Sequence, residues 1–176
     1  RAEKYLHMLG KTLYYRQWAN EYEKLVTDTT LFPSHPELGG KRDLMPRSNF
    51  FIRINSPQEN IPLLLNANPQ NKKAYEYLMA WFLLSRNVTA IIDNISNLKN
   101  LNYIKIPRHI EEAILAYYDS TGEMPELYGL TINQKTVENF KQYVSAYKSY
   151  RNAPSLLKNK LKERFGDTFW YYFHFR

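Results

Sequence analysis

Residues 68–98 have the sequence NPQNKKAYEYLMAWFLLSRNVTAIIDNISNL, and this stretch decides the fold class. Asn68-Pro69 is a helix-start signal, because an Asn side chain can cap a helix and proline needs no N–H at the first position. Apolar residues then recur three and four apart as far as Ser85, and again from Val88 onward, which predicts two helices. Because the joint at Arg86-Asn87 is short, we expect the two helices to form an antiparallel hairpin.

The same spacing predicts helices on both sides of this hairpin. The helix starts at Pro69 and Pro107 lie 38 residues apart, which is near the period of helix-hairpin solenoids. We therefore expect one all-α domain over residues 1–176, a tetratricopeptide-like right-handed array of antiparallel helix hairpins. Its predicted parts are a helical hairpin or long helix at 1–27, a helix hairpin at 69–98, a helix pair at 107–149, a terminal helix at 154–166 and an aromatic tail at 167–176.

Residues 28–68 lack the helical periodicity. They hold five of the nine prolines together with Gly39-Gly40, which excludes a continuous helix. A structureless segment of this length is uncommon within a compact domain. We therefore expect a Pro-rich loop that lies extended along the helices, with residues 50–54 as a short strand-like anchor.

The composition excludes several classes of protein. Among 176 residues, 44% are apolar, 15% aromatic and 23% charged, which argues against a disordered chain, a collagen or a long coiled coil. The chain has no cysteine, so disulfide scaffolds, thiolate zinc sites and cysteine catalysis are excluded. The longest apolar run, at 77–84, has eight residues, whereas a bilayer span needs about 20.

The net charge of +7 is concentrated at the end of the chain, since residues 141–176 carry eight basic and two acidic side chains. Such a segment attracts anionic head groups or phosphate backbones. With Tyr143, Tyr147 and Tyr150 interleaved, stacking on single-stranded nucleic acid is an alternative. A solvated helix face is another. The candidate contacts for an anionic surface are Lys141, Lys148, Arg151, Lys158, Lys160, Lys162 and Arg164.

The aromatic tail is too apolar to extend freely into water. It either packs back on the helices or contacts a partner or a bilayer interface, where Trp and Tyr are favoured. The candidate interface aromatics are Phe169, Trp170, Tyr171, Tyr172 and Phe173.

The sequence contains no catalytic motif. There is no His-Glu-x-x-His string, no Gly-x-Ser-x-Gly elbow and no complete phosphate loop at Gly39-Gly40-Lys41-Arg42, which we interpret as a turn. His109 and Glu112 lie on one helix face and can provide half a metal site, although acids are also favoured in a solvated first turn. We expect a protein without enzymatic activity, and we predict no catalytic residues, cofactor-binding residues or metal ligands.

Five strings of the chain are familiar: AEKYL at 2–6, LYYRQWA at 13–19, NPQNKKAYEYLMA at 68–80, IPRHIEEA at 106–113 and GDTFWYY at 166–172. Together they resemble the C-terminal soluble region of a domain-of-unknown-function family of large polytopic membrane proteins from Bacteroides-type bacteria. The resemblance covers nearly the whole chain and implies a tetratricopeptide-like tail. It brings no catalytic residue with it.

The resemblance implies a non-catalytic interaction or scaffolding domain that forms the soluble C-terminal part of a larger membrane protein. Its partner is then another protein or its own membrane domain, with a membrane surface as a further possibility and nucleic acid less favoured. It also implies an extracytoplasmic, periplasmic location. A looser analogy is an accessory domain of a membrane glycosyltransferase-like enzyme. Since the chain starts Arg-Ala-Glu without an initiator Met or a signal segment, we expect it to be part of a longer protein.

Overall fold

A computed structural model of the chain describes residues 2–45 and 56–175. Within these two ranges the regular secondary structure is helical and there is no strand, which confirms the all-α prediction. The strand-like anchor expected at 50–54 lies outside the described residues. The chain divides into two compact units, 1–49 and 50–176, whereas the sequence predicts one domain.

The first unit begins with a helical hairpin, which is one of the two arrangements predicted for 1–27. Its small core contains Leu6, Ala19 and Leu25, all buried. The side chain of Asp28 accepts hydrogen bonds from the Thr30 N–H (3.0 Å) and hydroxyl (2.6 Å), and so starts a 3₁₀ helix. The elements of this unit are α1 (Ala2–Gly10), α2 (Arg16–Thr27), the 3₁₀ helix (Thr29–Ser34) and α3 (Leu38–Asp43).

The described part of 28–68 differs from the expected Pro-rich loop, because it forms short helices. Pro57 is the first residue of α4 (Pro57–Ala67), where the missing N–H of proline costs nothing. Gly39, predicted to lie in a turn, belongs to α3. A Cβ at Gly39 would lie 2.5 Å from the Pro33 carbonyl oxygen. Glycine at this position therefore allows α3 to pack closely on the 3₁₀ helix.

The second unit contains the helices of the hairpin predicted at 69–98. Its first helix begins at Lys72 rather than Pro69, because the Asn71 side chain caps it by accepting from the Ala74 N–H (3.1 Å). Its second helix is divided in two near Asn94, and the aromatic tail forms a helix of its own. The elements after α4 are α5 (Lys72–Leu84), α6 (Val88–Asp93), α7 (Ser96–Asn100), α8 (Arg108–Thr121), α9 (Gln134–Tyr150), α10 (Pro154–Phe165) and α11 (Phe169–Phe175).

Two apolar clusters form the core of the second unit, and α8 and α11 contribute to both. Helix α8 places Ile114 in the first cluster and Leu115 in the second. Helix α11 places Phe169 in the first and Trp170 in the second. Because α8 and α11 also pack on each other, this helix pair joins the two halves of the core.

Candidate functional site

Two consecutive glutamates on α8 are buried, and each is bound by a different part of the chain. The Glu112 carboxylate, 1% exposed, accepts hydrogen bonds from Arg108 Nε (2.8 Å), His109 Nδ1 (2.9 Å) and the Phe169 N–H (2.7 Å). The Trp170 indole N–H donates to the Glu112 carbonyl oxygen (2.6 Å). A carboxylate beside the first N–H groups of a helix is also favoured by the helix dipole. Glu112 therefore fastens the start of α11 to α8.

Glu111 does the same for α9. Its carboxylate accepts from the Asn133 N–H (2.8 Å) and the Thr136 hydroxyl (2.5 Å). Asn133 in turn caps α9, since its side chain accepts from the Lys135 N–H (2.9 Å). The two glutamates thus position the N-terminal ends of α9 and α11 relative to α8. The alternative interpretation from the sequence, that the acids of this turn are solvated, is wrong because residues distant in sequence cover them.

His109 and Glu112, the pair considered as half a metal site, are part of an ion-pair network. Arg108 bonds to Glu112 and, through Nη1, to Asp167 (2.9 Å). The Arg108 guanidinium lowers the pKa of Asp167 below its usual range, since it donates a hydrogen bond to that carboxylate. Within the two described ranges, no cluster of three or more His, Cys, Asp and Glu side chains has an arrangement suited to a metal ion.

The His109 contact makes stability depend on pH. Its hydrogen bond to Glu112 raises the pKa of His109, although burial opposes this shift. The folded chain therefore binds this proton more tightly than the unfolded chain, whose His pKa is about 6.5. The contribution is complete below about pH 6.5 and is lost as the pH rises through the higher pKa of the folded state. Because His109 is half-exposed, we expect the contribution of this contact to the free energy of unfolding to be under about 1 kcal/mol.

To check this, the free energy of unfolding in urea is measured at about pH 6 and about pH 9 for the parent chain and for His109→Gln. The parent is expected to lose more stability between the two pH values than the variant loses. An equal loss in both proteins would show that His109 does not cause the pH dependence.

A polar cleft of about 610 Å³ lies between α8, α9 and the end of α10, next to the Glu111 contacts. Four cationic and two carboxylate side chains line it, which gives a local net charge of plus two. Most of the remaining lining consists of hydroxyl and amide side chains. The charged residues are Lys105, Arg108, Lys135, Arg164, Glu111 and Asp167, and the neutral polar ones are Thr131, Asn133, Thr136, Asn139, Gln142 and Thr168.

The seven basic residues predicted to contact an anionic surface do not share one face. All are exposed and lie on α9, on α10 or at the joint between them. Residues four apart share a helix face, so Lys158 and Lys162 form one row on α10. Lys160 and Arg164 form another row, on the other side of the buried stripe Leu157, Leu161 and Phe165.

Of these seven residues, Arg164 lines the polar cleft. Its guanidinium donates to the Gln142 side-chain oxygen and lies 5.4 Å from the centre of the Phe165 ring. Sequence reasoning missed Lys105, Arg108 and Lys135, because they lie outside the basic C-terminal run. No spacing signal in the sequence brings them together.

Several aromatic candidates are core residues. Phe169, Trp170 and Tyr171 are buried, so the tail packs back on the helices at these positions, and Tyr172 and Phe173 are half-buried. Tyr143, considered for stacking on nucleic acid, is also buried. Burial raises the pKa of the Tyr143 hydroxyl. This hydroxyl forms hydrogen bonds with the Trp170 carbonyl oxygen (3.2 Å) and with His174 Nδ1 (2.9 Å).

In the first unit, the turn between α1 and α2 exposes large apolar side chains. Leu13 is 98% exposed and Tyr14 86%, and Tyr15 and Trp18 are about half-exposed. Residues 10–18 contain two basic side chains, both exposed, and no acidic one. We call residues 10–18 the hairpin tip. The sequence signal was present, since an apolar triplet at 13–15 does not follow the spacing of the helices around it.

None of the helices in residues 2–45 and 56–175 combines the length and the apolar character needed to cross a membrane. In comparison with known families, the chain matches the profile described as "Family of unknown function (DUF6057)" over residues 1–176. Comparison with curated proteins and with solved structures gives no match.

Proposed function

We propose that this chain, which belongs over its whole length to the DUF6057 family of unknown function, is a non-catalytic interaction module that contacts a membrane surface. The single observation that carries the proposal is the exposed apolar side of the hairpin tip. In this proposal the module is the soluble part of a larger membrane protein, on the extracytoplasmic side, and its hairpins form a tetratricopeptide-like array. Its role is attachment and scaffolding.

The composition of the hairpin tip supports a bilayer interface as the occupant. Tyrosine and tryptophan are enriched at membrane–water interfaces, where their rings are apolar and their polar groups stay hydrated. Lys11 and Arg16 flank the apolar side chains at 13–15 and are complementary to anionic head groups. A tip with this composition can insert its apolar side chains while its cations remain at the head groups.

The exposure of Leu13 and Tyr14 favours a membrane over a folded protein as the occupant. Both side chains lie in the connection between two helices, where they are almost fully exposed. A folded partner would need a pocket complementary to them, because tight binding depends on well-packed, desolvated anchors. A bilayer interface needs no such complementarity. Insertion therefore requires only the apolar side chains and the cations beside them.

The expected affinity is modest. Full burial of a leucine side chain contributes about 1.5–3 kcal/mol, and each Lys or Arg near an anionic surface contributes about 1 kcal/mol. A total of several kcal/mol gives reversible binding, and stable attachment takes a second anchor. The hairpin tip is therefore suited to orient a module that another attachment already holds near the membrane.

We expect the double substitution Leu13→Glu with Tyr14→Glu to weaken binding to anionic vesicles, measured by co-sedimentation at low salt, by at least about tenfold. It removes the apolar side chains that insert into the bilayer and adds two negative charges that the head groups repel. Because both side chains are exposed, the melting temperature should change little. The matched control is Ile104→Glu with Tyr77→Glu, which replaces two exposed apolar residues in the second unit.

The proposal fails if the parent chain does not bind anionic vesicles. It also fails if the control loses as much binding as the tip variant. A third result would also contradict the proposal: the parent does not bind vesicles but self-associates in solution, and the tip substitutions abolish this self-association. The occupant of the hairpin tip would then be a second copy of the chain.

A further inference from the structure

The cleft between α8, α9 and α10 carries positive charge that the protein does not neutralise. Within the described residues, Lys105 and Lys135 form no ion pair, and Arg164 donates to the neutral amide of Gln142. Arg108 differs, because Glu112 and Asp167 already pair with its guanidinium. Three cations therefore remain available to an anion in a cleft of about 610 Å³.

One side of the cleft is the first turn of α9, which carries Lys135 and is fixed on α8 by Glu111. Both carboxylate oxygens of Glu111 are bonded, one to the Asn133 N–H and the other to the Thr136 hydroxyl. Glu111 is therefore held by the first turn of α9, and these hydrogen bonds go to that turn rather than to a cleft lysine. The first turn of α9 is fixed on α8 before any ligand binds, and a fixed wall lowers the cost of ordering a binding site.

The rest of the lining indicates the chemical class of the ligand. The volume lies within the usual range of about 300–1,000 Å³ for ligand pockets and leaves room for more than an isolated phosphate. Hydroxyl and amide groups at Thr131, Asn139 and Gln142 are suited to the hydroxyls of a polyol. The aromatic residue of the lining, Phe165, is buried, so the cleft offers no exposed ring on which a nucleobase can stack.

We infer that this cleft binds a small anion rich in hydroxyl groups, of the sugar-phosphate class. Lys105, Lys135 and Arg164 contact the phosphate, since charge-assisted hydrogen bonds from Lys and Arg are the strong contacts for this group. The neutral polar side chains contact the sugar hydroxyls. This binding site lies in the second unit and is independent of the proposed membrane contact of the first.

The test is titration calorimetry of the 176-residue chain with glucose 6-phosphate, glucose and inorganic phosphate at low salt. We expect glucose 6-phosphate to bind more tightly than either fragment. Lys135→Gln with Arg164→Gln is expected to weaken it by at least about tenfold, given the strength of two charge-assisted contacts. The matched control, Lys158→Gln with Lys162→Gln, removes the same charge outside the cleft and should leave the affinity unchanged.

A further arm distinguishes a soluble sugar phosphate from a lipid head group. Vesicles containing phosphatidylinositol 4-phosphate present the same chemistry on a membrane. If the cleft variant loses binding to these vesicles while the Leu13→Glu, Tyr14→Glu variant retains part of it, the ligand of the cleft is a lipid head group. Three results would overturn the inference: no binding of either form, equal losses in the cleft variant and its control, or inorganic phosphate binding as tightly as glucose 6-phosphate.

Discussion

Replacing Glu112 by alanine is expected to lower the free energy of unfolding by about 2–3 kcal/mol, the upper part of the range for leaving a buried hydrogen-bond donor without its acceptor. The substitution leaves the buried Phe169 N–H without its acceptor and removes the carboxylate from Arg108 and His109. Chemical denaturation followed by circular dichroism measures the loss. Since single domains are stable by about 5–15 kcal/mol, a folded fraction should remain measurable.

Two further variants make the Glu112 result specific. Glu112→Gln keeps an oxygen acceptor for the Phe169 N–H but loses the charge. Its free energy of unfolding should therefore lie between those of the parent and the alanine variant. Glu163→Ala removes an exposed acid that pairs with Lys160 (3.1 Å), and its effect should stay below about 1 kcal/mol. If Glu112→Ala were as mild as Glu163→Ala, Glu112 would not fasten α11.

Trp170→Ala is expected to cost about 3–5 kcal/mol, the range for a large aromatic side chain removed from a core. Trp170 is 1% exposed and its ring centre lies 4.9 Å from that of Phe140 and 5.6 Å from that of Tyr143. The same substitution also removes the indole hydrogen bond to α8. The loss is measured in the same denaturation experiment.

The control for Trp170 is Trp18→Ala in the first unit. Trp18 stacks on Tyr22 with ring centres 4.4 Å apart but is about half-exposed, so its removal should cost far less. Because the Glu112 carboxylate and the Trp170 side chain both hold α11 on α8, the double variant should lose less than the sum of the single losses. Equal effects of Trp170→Ala and Trp18→Ala would mean that α11 is not part of the core.

Helical periodicity predicted much of the fold, although not which side of each helix faces the core. Tyr77 and Leu84 fit the three- and four-residue apolar spacing of α5, yet both are exposed, and Tyr75 and Met79 are buried instead. A helix with apolar residues on most of its circumference does not define a single buried face. The choice depends on tertiary contacts with α6 and α8, which the spacing of apolar residues within α5 does not report.

The candidate sites depended even more on tertiary structure. Glu111 and Glu112 resemble solvated acids because nothing near them in sequence indicates that α9 and α11 cover them. The basic run was visible as composition, but the four-residue spacing of Lys158 with Lys162 and of Lys160 with Arg164 already divides it between two helix faces. The cleft joins Lys105, Lys135 and Arg164 across almost 60 positions, which no local pattern reports.

The most direct test of the membrane contact is an environment-sensitive fluorophore at position 13. The chain has no cysteine, so Leu13→Cys can be labelled at one place, and Ile104→Cys provides an equally exposed control in the second unit. With anionic vesicles, we expect the emission of the label at position 13 to shift to the blue and that at position 104 to stay unchanged. Unchanged emission at position 13 in the presence of vesicles would contradict the proposed function.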